Sequence, residues 1–462
     1  MADNSSHISY SKKYFEGEMV IAIWGVVSKG IGFVNTAITL SALTIYQYGV
    51  FQLLLSGYGF FSGLTGMGVS YAGTDVTRAL GDGNEAKAKR LFLQLHGVRF
   101  LLSIIAACVC YFGTSLLLIE YDPAFLEFFK ILAFLFVSDE LIAFSKKLME
   151  YRLDFGTYAR RSSIQKVIQC AILLYFLLFS SIGIREVLLS IVFSSYISVL
   201  FLIPGAVRAY EPWRHVAALR GPVFWRLFRA HGKWFLAGQF LGLITDRMQP
   251  WLIKIFISTE AVAVYSIADS MIGIVRKLFP TSTLSSIISL TVHDKVRAKR
   301  ILTYGTKYFV TLMLILSGAC FLFVPFIIRT FFPHYTLALP YFYVLLITLP
   351  LSAFTVIPLL YVNALRKQKF LFFQDTFKTM VRIPSLLIFV PLFGLWGMVI
   401  DKILLTIIAL VIFLVYIARK KDDVPIAWNR FLVFGDEDRQ FLKMLREEIG
   451  STWNKKFAHF LG

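Results

Sequence analysis

The sequence predicts an all-α polytopic membrane protein with about twelve transmembrane helices. Three observations predict it. Apolar residues fill 57% of the 462 positions and mean hydropathy is +0.69, whereas a soluble domain holds about 45–50% apolar residues. Runs with few charges, each near the roughly 20 residues that cross a hydrocarbon core, recur from one end of the chain to the other. Finally, the 47 Lys and Arg residues sort into alternate loops.

Each run reads as a helix, because in lipid the backbone must satisfy its own hydrogen bonds. The strand alternation of a membrane barrel is missing. The first half gives Met19–Leu43, Tyr48–Gly73, Arg99–Ile119, Leu126–Phe144, Val167–Ile184 and Leu188–Val207. The second half gives Trp234–Ile257, Ala261–Leu290, Tyr308–Phe331, Tyr341–Leu365, Phe370–Phe393 and Leu395–Ile417.

The net charge of +19 does not point to nucleic acid, because the cations are spread over short loops between spans. One side collects Arg78, Lys87, Lys89, Arg90, Lys146, Lys147, Arg152, Arg160 and Arg161, the cluster from Arg208 to Lys233, Lys295 to Arg300, and Arg366, Lys367 and Lys369. Lys12, Lys13 and Arg419-Lys420-Lys421 join them. The opposite side keeps Lys130, Arg185, Lys254 and Arg329. The asymmetry places the basic side and both termini in the cytoplasm, with an even number of spans. The polar stretch from Met1 to Gly17 leads straight into the first span, with no cleavable signal peptide expected. Tyr46, Tyr48, Trp234, Tyr335 and Tyr341 fall near span ends and suit interfacial belts. Cys108, Cys110, Cys170 and Cys320 lie in apolar runs without metal-ligand spacing and read as packed small residues.

The chain repeats itself. Asn84-Glu85-Ala86-Lys87-Ala88-Lys89-Arg90-Leu91 follows the second span, and Asp294-Lys295-Val296-Arg297-Ala298-Lys299-Arg300-Ile301 follows the eighth. Six spans per half give both halves one orientation, so the repeats are parallel, and transporters build a central cavity between such halves. The expected division is an N-terminal six-helix bundle over 1–210, a C-terminal one over 211–418 and a cytoplasmic tail over 419–462. In the tail, Asp436 is expected to cap a helix running to Glu448, with Phe441, Leu445 and Ile449 on one face. Lys455, Lys456, Phe457 and Phe460 extend it as an interfacial segment. Gly59 and Gly63 in span two, and Gly238 and Gly242 in span seven, are small-xxx-small pairs that permit close helix approach.

Ser28-Lys29-Gly30 in span one, then Tyr46-Gln47-Tyr48-Gly49-Val50-Phe51, a Gly-rich second span and the basic segment Glu85–Arg90 resemble the multidrug/oligosaccharidyl-lipid/polysaccharide exporter superfamily. Thr245-Asp246-Arg247 followed by Ala261–Tyr265 resembles the same pattern in the second half. The layout extends over about the first 420 residues, and the basic candidates and length are most similar to the polysaccharide transporter branch. The resemblance implies two six-helix bundles around a central cavity. It also implies a flippase for lipid-linked oligosaccharide, a polyprenyl-diphosphate-linked glycan, working by alternating access in the cytoplasmic membrane during surface polysaccharide assembly. The partners implied are that substrate, membrane lipids and polysaccharide-assembly proteins.

Ionisable residues inside spans face a cavity or a partner, because lipid cannot solvate them. Lys29, Arg247, Arg276 and Arg382 are the candidates to contact the pyrophosphate or sugar acids, since Arg offers a forked donor to phosphate and Lys a point charge. Asp246 and Arg247 point about 100° apart on a helix and are expected to pair with other residues. Asp139, Glu140, Asp246 and Asp269 are candidates either for coupling to a proton or sodium ion or for structural ion pairs. Asp375 and Lys378, at i and i+3, are set to pair on one face. The prolines of the second half, Pro250, Pro280, Pro325, Pro350, Pro358, Pro384 and Pro391, permit kinks.

No catalytic residues, metal site or cofactor are expected. GxxxxGK[ST], HExxH and zinc clusters are absent from the sequence. A glycan polymerase or ligase would need a large external loop, and the external loops here are very short. The nearer alternative is a cation-coupled multidrug antiporter of the same superfamily. It would need acidic cavity residues in the first half, where Lys29 stands instead.

Overall fold

The computed structural model describes residues 24–66, 75–80, 82–113, 123–152, 154–217, 219, 221, 233–277, 288, 299–365, 367–419, 435 and 438–439. Every regular element among them is helical, so the expected all-α architecture is what forms. The helices are α1 (24–42), α2 (Ile45–Gly66), α3 (Glu85–Cys108), α4 (Pro123–Ala133), α5 (Leu135–Tyr151), α6 (Phe155–Phe179) and α7 (Ile184–Arg214). Then follow α8 (Lys233–Phe256), α9 (Thr259–Lys277), α10 (Thr306–Phe331), α11 (Leu339–Leu345), α12 (Thr348–Ala364), α13 (Gln368–Phe393) and α14 (Leu395–Arg419).

By length and composition, six stretches among the described residues are able to cross a membrane: Glu85–Gly113, Gly156–Phe179, Ile184–Arg214, Leu302–Phe331, Lys369–Phe393 and Leu395–Arg419. The bent pair Pro333–Leu345 and Thr348–Ala364, at 50°, adds a seventh if taken as one broken span. The other predicted spans overlap helices that are shorter or more polar. Two boundaries differ for physical reasons. Asn84 accepts a hydrogen bond from the Lys87 N–H and caps α3 at Glu85, so the basic segment and the third span form one helix. The fourth span is broken at Phe134 into α4 and α5.

The chain forms two compact units. The first comprises Met1–Met271, Pro325–Phe342 and Asp375–Asp401. Its core gathers Leu91, Phe92 and Leu95 of α3, Leu148 and Met149 of α5, and Leu202 and Trp213 of α7. Lys89 of the basic segment and Arg152 at the end of α5 anchor this core. Lys89, itself buried, donates to the carbonyls of Trp213 (2.6 Å) and Val216 (2.8 Å), satisfying orphan acceptors at the end of α7. Arg152 covers the Trp213 ring at 4.9 Å and reaches Glu85 at 3.3 Å.

The Tyr46–Phe51 signature has a packing role in this unit. Tyr48 is buried with its ring 5.9 Å from that of Tyr335, whose hydroxyl donates to the Leu43 carbonyl at 2.9 Å. Tyr48 and Tyr335 therefore pack on each other in place of the expected interfacial position. Gly49 faces the Thr259 carbonyl so closely that a Cβ would lie 2.1 Å from its oxygen.

The second unit comprises Ile272–Val324, Tyr343–Gln374 and Lys402–Gly462. Its core joins Leu302, Phe309, Val310 and Met313 to Ile357, Tyr361 and Val362 of α12 and Phe413 and Ile417 of α14. Phe370 stacks on Tyr416 with ring centroids 3.8 Å apart. Asp436 and all of the expected tail helix except Asp438 and Arg439, which are helical, lie outside the described residues. Gly435, Asp438 and Arg439 are described, and Asp438 is buried against α10 at 2.8 Å from Lys307.

Candidate functional site

The first unit holds seven of the eight candidate residues: Lys29, Asp139, Glu140, Asp246, Arg247, Asp269 and Arg382. The second holds Arg276, which donates to the Thr348 hydroxyl at 3.0 Å.

The site in the first unit is built around the proline-bearing turn of α8. Pro250 inside this helix has no N–H to give the Asp246 carbonyl, four residues back, and its ring crowds that oxygen. The Arg247 carbonyl receives the Ser56 hydroxyl of α2 at 2.6 Å. Thr245 turns its hydroxyl back onto the Leu241 and Gly242 carbonyls, 2.7 and 3.0 Å away, a contact that bends helices. The turn carrying Asp246 and Arg247 is thus loosened along its own axis and supported from α2.

Glycines of α2 set how near α8 comes. A Cβ on Gly59 would fall 2.6 Å from the Arg247 guanidinium carbon, and one on Gly63 would fall 2.3 Å from Leu243. The expected close approach at Gly59 and Gly63 is realised, with Arg247 and Leu243, one helical turn apart, as the partners. Gly242 has open space around it instead. Arg247 is exposed, and no acidic side chain among the described residues pairs with it. Lys29 is exposed on α1 and Asp269 is half-buried on α9. An exposed charge in mid-helix cannot rest against hydrocarbon, so the faces bearing Lys29, Asp246 and Arg247 require water.

Arg382 of α13 completes the arrangement. Its Nη1 reaches Asp246 at 2.5 Å, and its Nε lies 3.9 Å from Asp401 of α14. The Ser385 hydroxyl sits between the Arg382 carbonyl, 3.0 Å away, and the Asp401 carboxylate, so its single proton serves two acceptors. Asp246 therefore does pair away from its neighbour Arg247, as helix geometry predicts. Arg382, read from the sequence as a cation for substrate, is opposed by two carboxylates.

The acidic candidates of the first half are occupied. Glu140 is hydrogen-bonded to His96 Nδ1 at 2.8 Å and ion-paired with Arg99 at 3.0 Å, with His96 and Glu140 both buried. Phe92 and Phe144 wall the imidazole, with centroids at 4.5 and 5.4 Å. Asp139, one residue earlier, takes the Tyr58 hydroxyl of α2. Sequence reasoning missed His96, Arg99, Tyr58 and Ser385 as partners. The available signal was that Arg99 and Glu140 both sit in largely apolar helices, where a lone charge is costly. Asp375 and Lys378 pair at 2.8 Å as their spacing predicts. Among the described residues no cluster of His, Cys, Asp and Glu has the arrangement of a metal site.

No curated protein matches the chain. Among solved structures the fold is similar to the lipid II flippase MurJ in an inward closed conformation, at 13% identity and TM-score 0.67, covering 96% of this chain and 99% of that one. It is also similar to an inward-facing multidrug resistance MATE family transporter of the MOP superfamily, at 15% identity and TM-score 0.62, covering 85% and 96%. The MATE transporter VcmN of Vibrio cholerae gives 14% identity and TM-score 0.60, covering 90% and 99%. At these identities the likeness is one of fold. The family model for polysaccharide biosynthesis proteins matches residues 15–292, more than half of the chain. The resemblance read from the Tyr46–Phe51 signature and the basic segments is thereby borne out: this chain belongs to the polysaccharide biosynthesis protein family.

Proposed function

We propose that this protein is a flippase for lipid-linked oligosaccharide, moving a polyprenyl-diphosphate-linked glycan across the cytoplasmic membrane by alternating access. The observation that carries the reading is Arg247: an exposed guanidinium in the middle of α8, seated over Gly59 and paired with no described carboxylate. A diphosphate leaving water needs charge-assisted donors, and Arg247 offers a planar fork that matches phosphate oxygens. Lys29 on α1 adds a second exposed cation. The family match and the fold shared with a lipid II flippase support the same reading. Both termini lie on the cytoplasmic side by the distribution of loop cations, and membrane lipids and polysaccharide-assembly proteins are the expected partners.

The multidrug antiporter reading gains less support. A cationic drug needs an available carboxylate, whereas Glu140 is held by His96 and Arg99, and Asp139 by Tyr58. The test is reconstitution in liposomes with a fluorescent lipid-linked oligosaccharide. Translocation above that of protein-free vesicles supports the flippase. Efflux of cationic dyes without lipid translocation would replace it with the antiporter.

A further inference from the structure

Arg382 stands between two carboxylates of opposite character. The Asp401 side chain is 1% exposed and fixed by Ser385, while the Asp246 side chain is 67% exposed on the loosened turn of α8. The contact with Asp246 runs through one nitrogen, Nη1, at 2.5 Å. The contact with Asp401, at 3.9 Å, is longer than a hydrogen bond, and Arg382 Nε is buried with no hydrogen-bond partner among the described residues. The guanidinium is thus neutralised but not saturated. It is held by a one-point contact where its geometry allows a two-point one.

An exposed carboxylate in mid-helix is costly to keep beside a membrane, and a purely structural pair would be better placed inside, as Asp401 is. Pro250 removes the hydrogen bond that would tie down the Asp246 carbonyl, so this turn of α8 lacks one of the bonds that fix a regular helix. A phosphate group offers two oxygens in fork geometry to the donors that Asp246 engages singly.

We propose that Asp246 is a tethered stand-in for phosphate: it holds Arg382 while the site is empty and gives way to an anionic phosphate headgroup, which Arg382 then binds, with Asp401 staying in place. This rests on the diphosphate passenger proposed above. Asp246 keeps the empty site from carrying an uncompensated cation and sets the affinity by competing for the same donors.

The experiment is binding of farnesyl diphosphate to the purified full chain in detergent, comparing wild type with D246N, D246E, R382Q and D246N/R382Q. If Asp246 masks Arg382, the apparent affinity is reduced by the masked fraction, and D246N tightens binding by at least about threefold. D246E, which retains a carboxylate, gives no tightening. R382Q weakens binding, and adding D246N in that background restores nothing. D246A serves in place of D246N should the amide variant fail to accumulate. Equal or weaker binding by D246N and D246A, or binding by no variant, overturns the proposal and leaves a structural ion pair. Translocation of lipid-linked oligosaccharide by wild type in liposomes is measured alongside. Translocation without tightening sinks the exchange alone. Tightening without translocation sinks the flippase reading and leaves the exchange of Asp246 for phosphate standing.

Discussion

Asp438 and Lys307 are 131 residues apart in sequence and 2.8 Å apart in the fold, with both side chains almost fully shut off from water. The Tyr308 hydroxyl donates to the same carboxylate oxygen at 2.7 Å, and the Gly435 N–H donates to the other at 2.9 Å. The tail beyond α14 is thereby fastened to the first turn of α10. Removing one member of a buried pair strands the other, at a cost of about 3–5 kcal/mol. D438N and K307M are each expected to lower the thermal unfolding midpoint in detergent. The apolar double variant K307M/D438L is expected to lie nearer wild type than either single variant.

The same pair predicts a pH dependence. Burial raises the Asp438 carboxyl, but the bonds from Lys307, Gly435 and Tyr308 outweigh it and hold the group below the ordinary carboxylate range. A lowered folded value means the stabilisation is complete above the unfolded value of about 3.9. It is lost as pH falls through the still lower folded value. The stability gap between wild type and D438N is expected to stay level from about pH 5 to pH 8 and to shrink below about pH 4. A gap that widens on acidification would contradict the assignment.

Two glycines of α2 are expected to fail differently. An Ala at Gly49 places Cβ 2.1 Å from the Thr259 carbonyl oxygen, a backbone atom that cannot swing aside. An Ala at Gly59 meets the end of the Arg247 side chain at 2.6 Å, which can move. G49A is therefore expected to cost more than about 3 kcal/mol or to prevent accumulation of folded protein. G59A is expected to fold with a loss nearer about 1 kcal/mol and to show its effect in transport, because it displaces Arg247. Fluorescence-detected size exclusion and translocation rate, measured on both, separate the two outcomes.

Glu140 is expected to act through stability. It is the shared partner of His96, by a hydrogen bond, and of Arg99, by an ion pair, in a site walled by Phe92 and Phe144. E140Q leaves the Arg99 guanidinium without its counter-charge, at about 3–5 kcal/mol. D139N turns the charge-assisted bond from Tyr58 into a neutral one and costs about 1–2 kcal/mol. Thermal denaturation of both variants checks the order, and a D139N loss larger than that of E140Q would contradict it.

The sequence made the helices legible because their signal is local. Apolar length, the i,i+3 pair of Asp375 and Lys378 and the Gly59/Gly63 spacing all act within a few residues. What stayed hidden pairs distant segments. Tyr48 near a predicted span end looks the same whether it faces an interface or packs on Tyr335, and only the fold decides. The partner of Asp246 lies 136 residues away on α13, and that of Lys307 sits in the tail. Intramembrane charge pointed to Arg382 as an important residue, but no periodicity could reveal that Asp246 and Asp401 flank it.

The central claim, that an anionic lipid headgroup passes Arg247, is tested most directly by the initial rate of fluorescent lipid-linked oligosaccharide translocation in liposomes by wild type, R247K and R247E at matched amounts of folded protein. The account predicts that R247K retains a reduced rate and that R247E falls at least about tenfold, the equivalent of about 1.4 kcal/mol in the transport barrier. An R247E rate equal to wild type would contradict it.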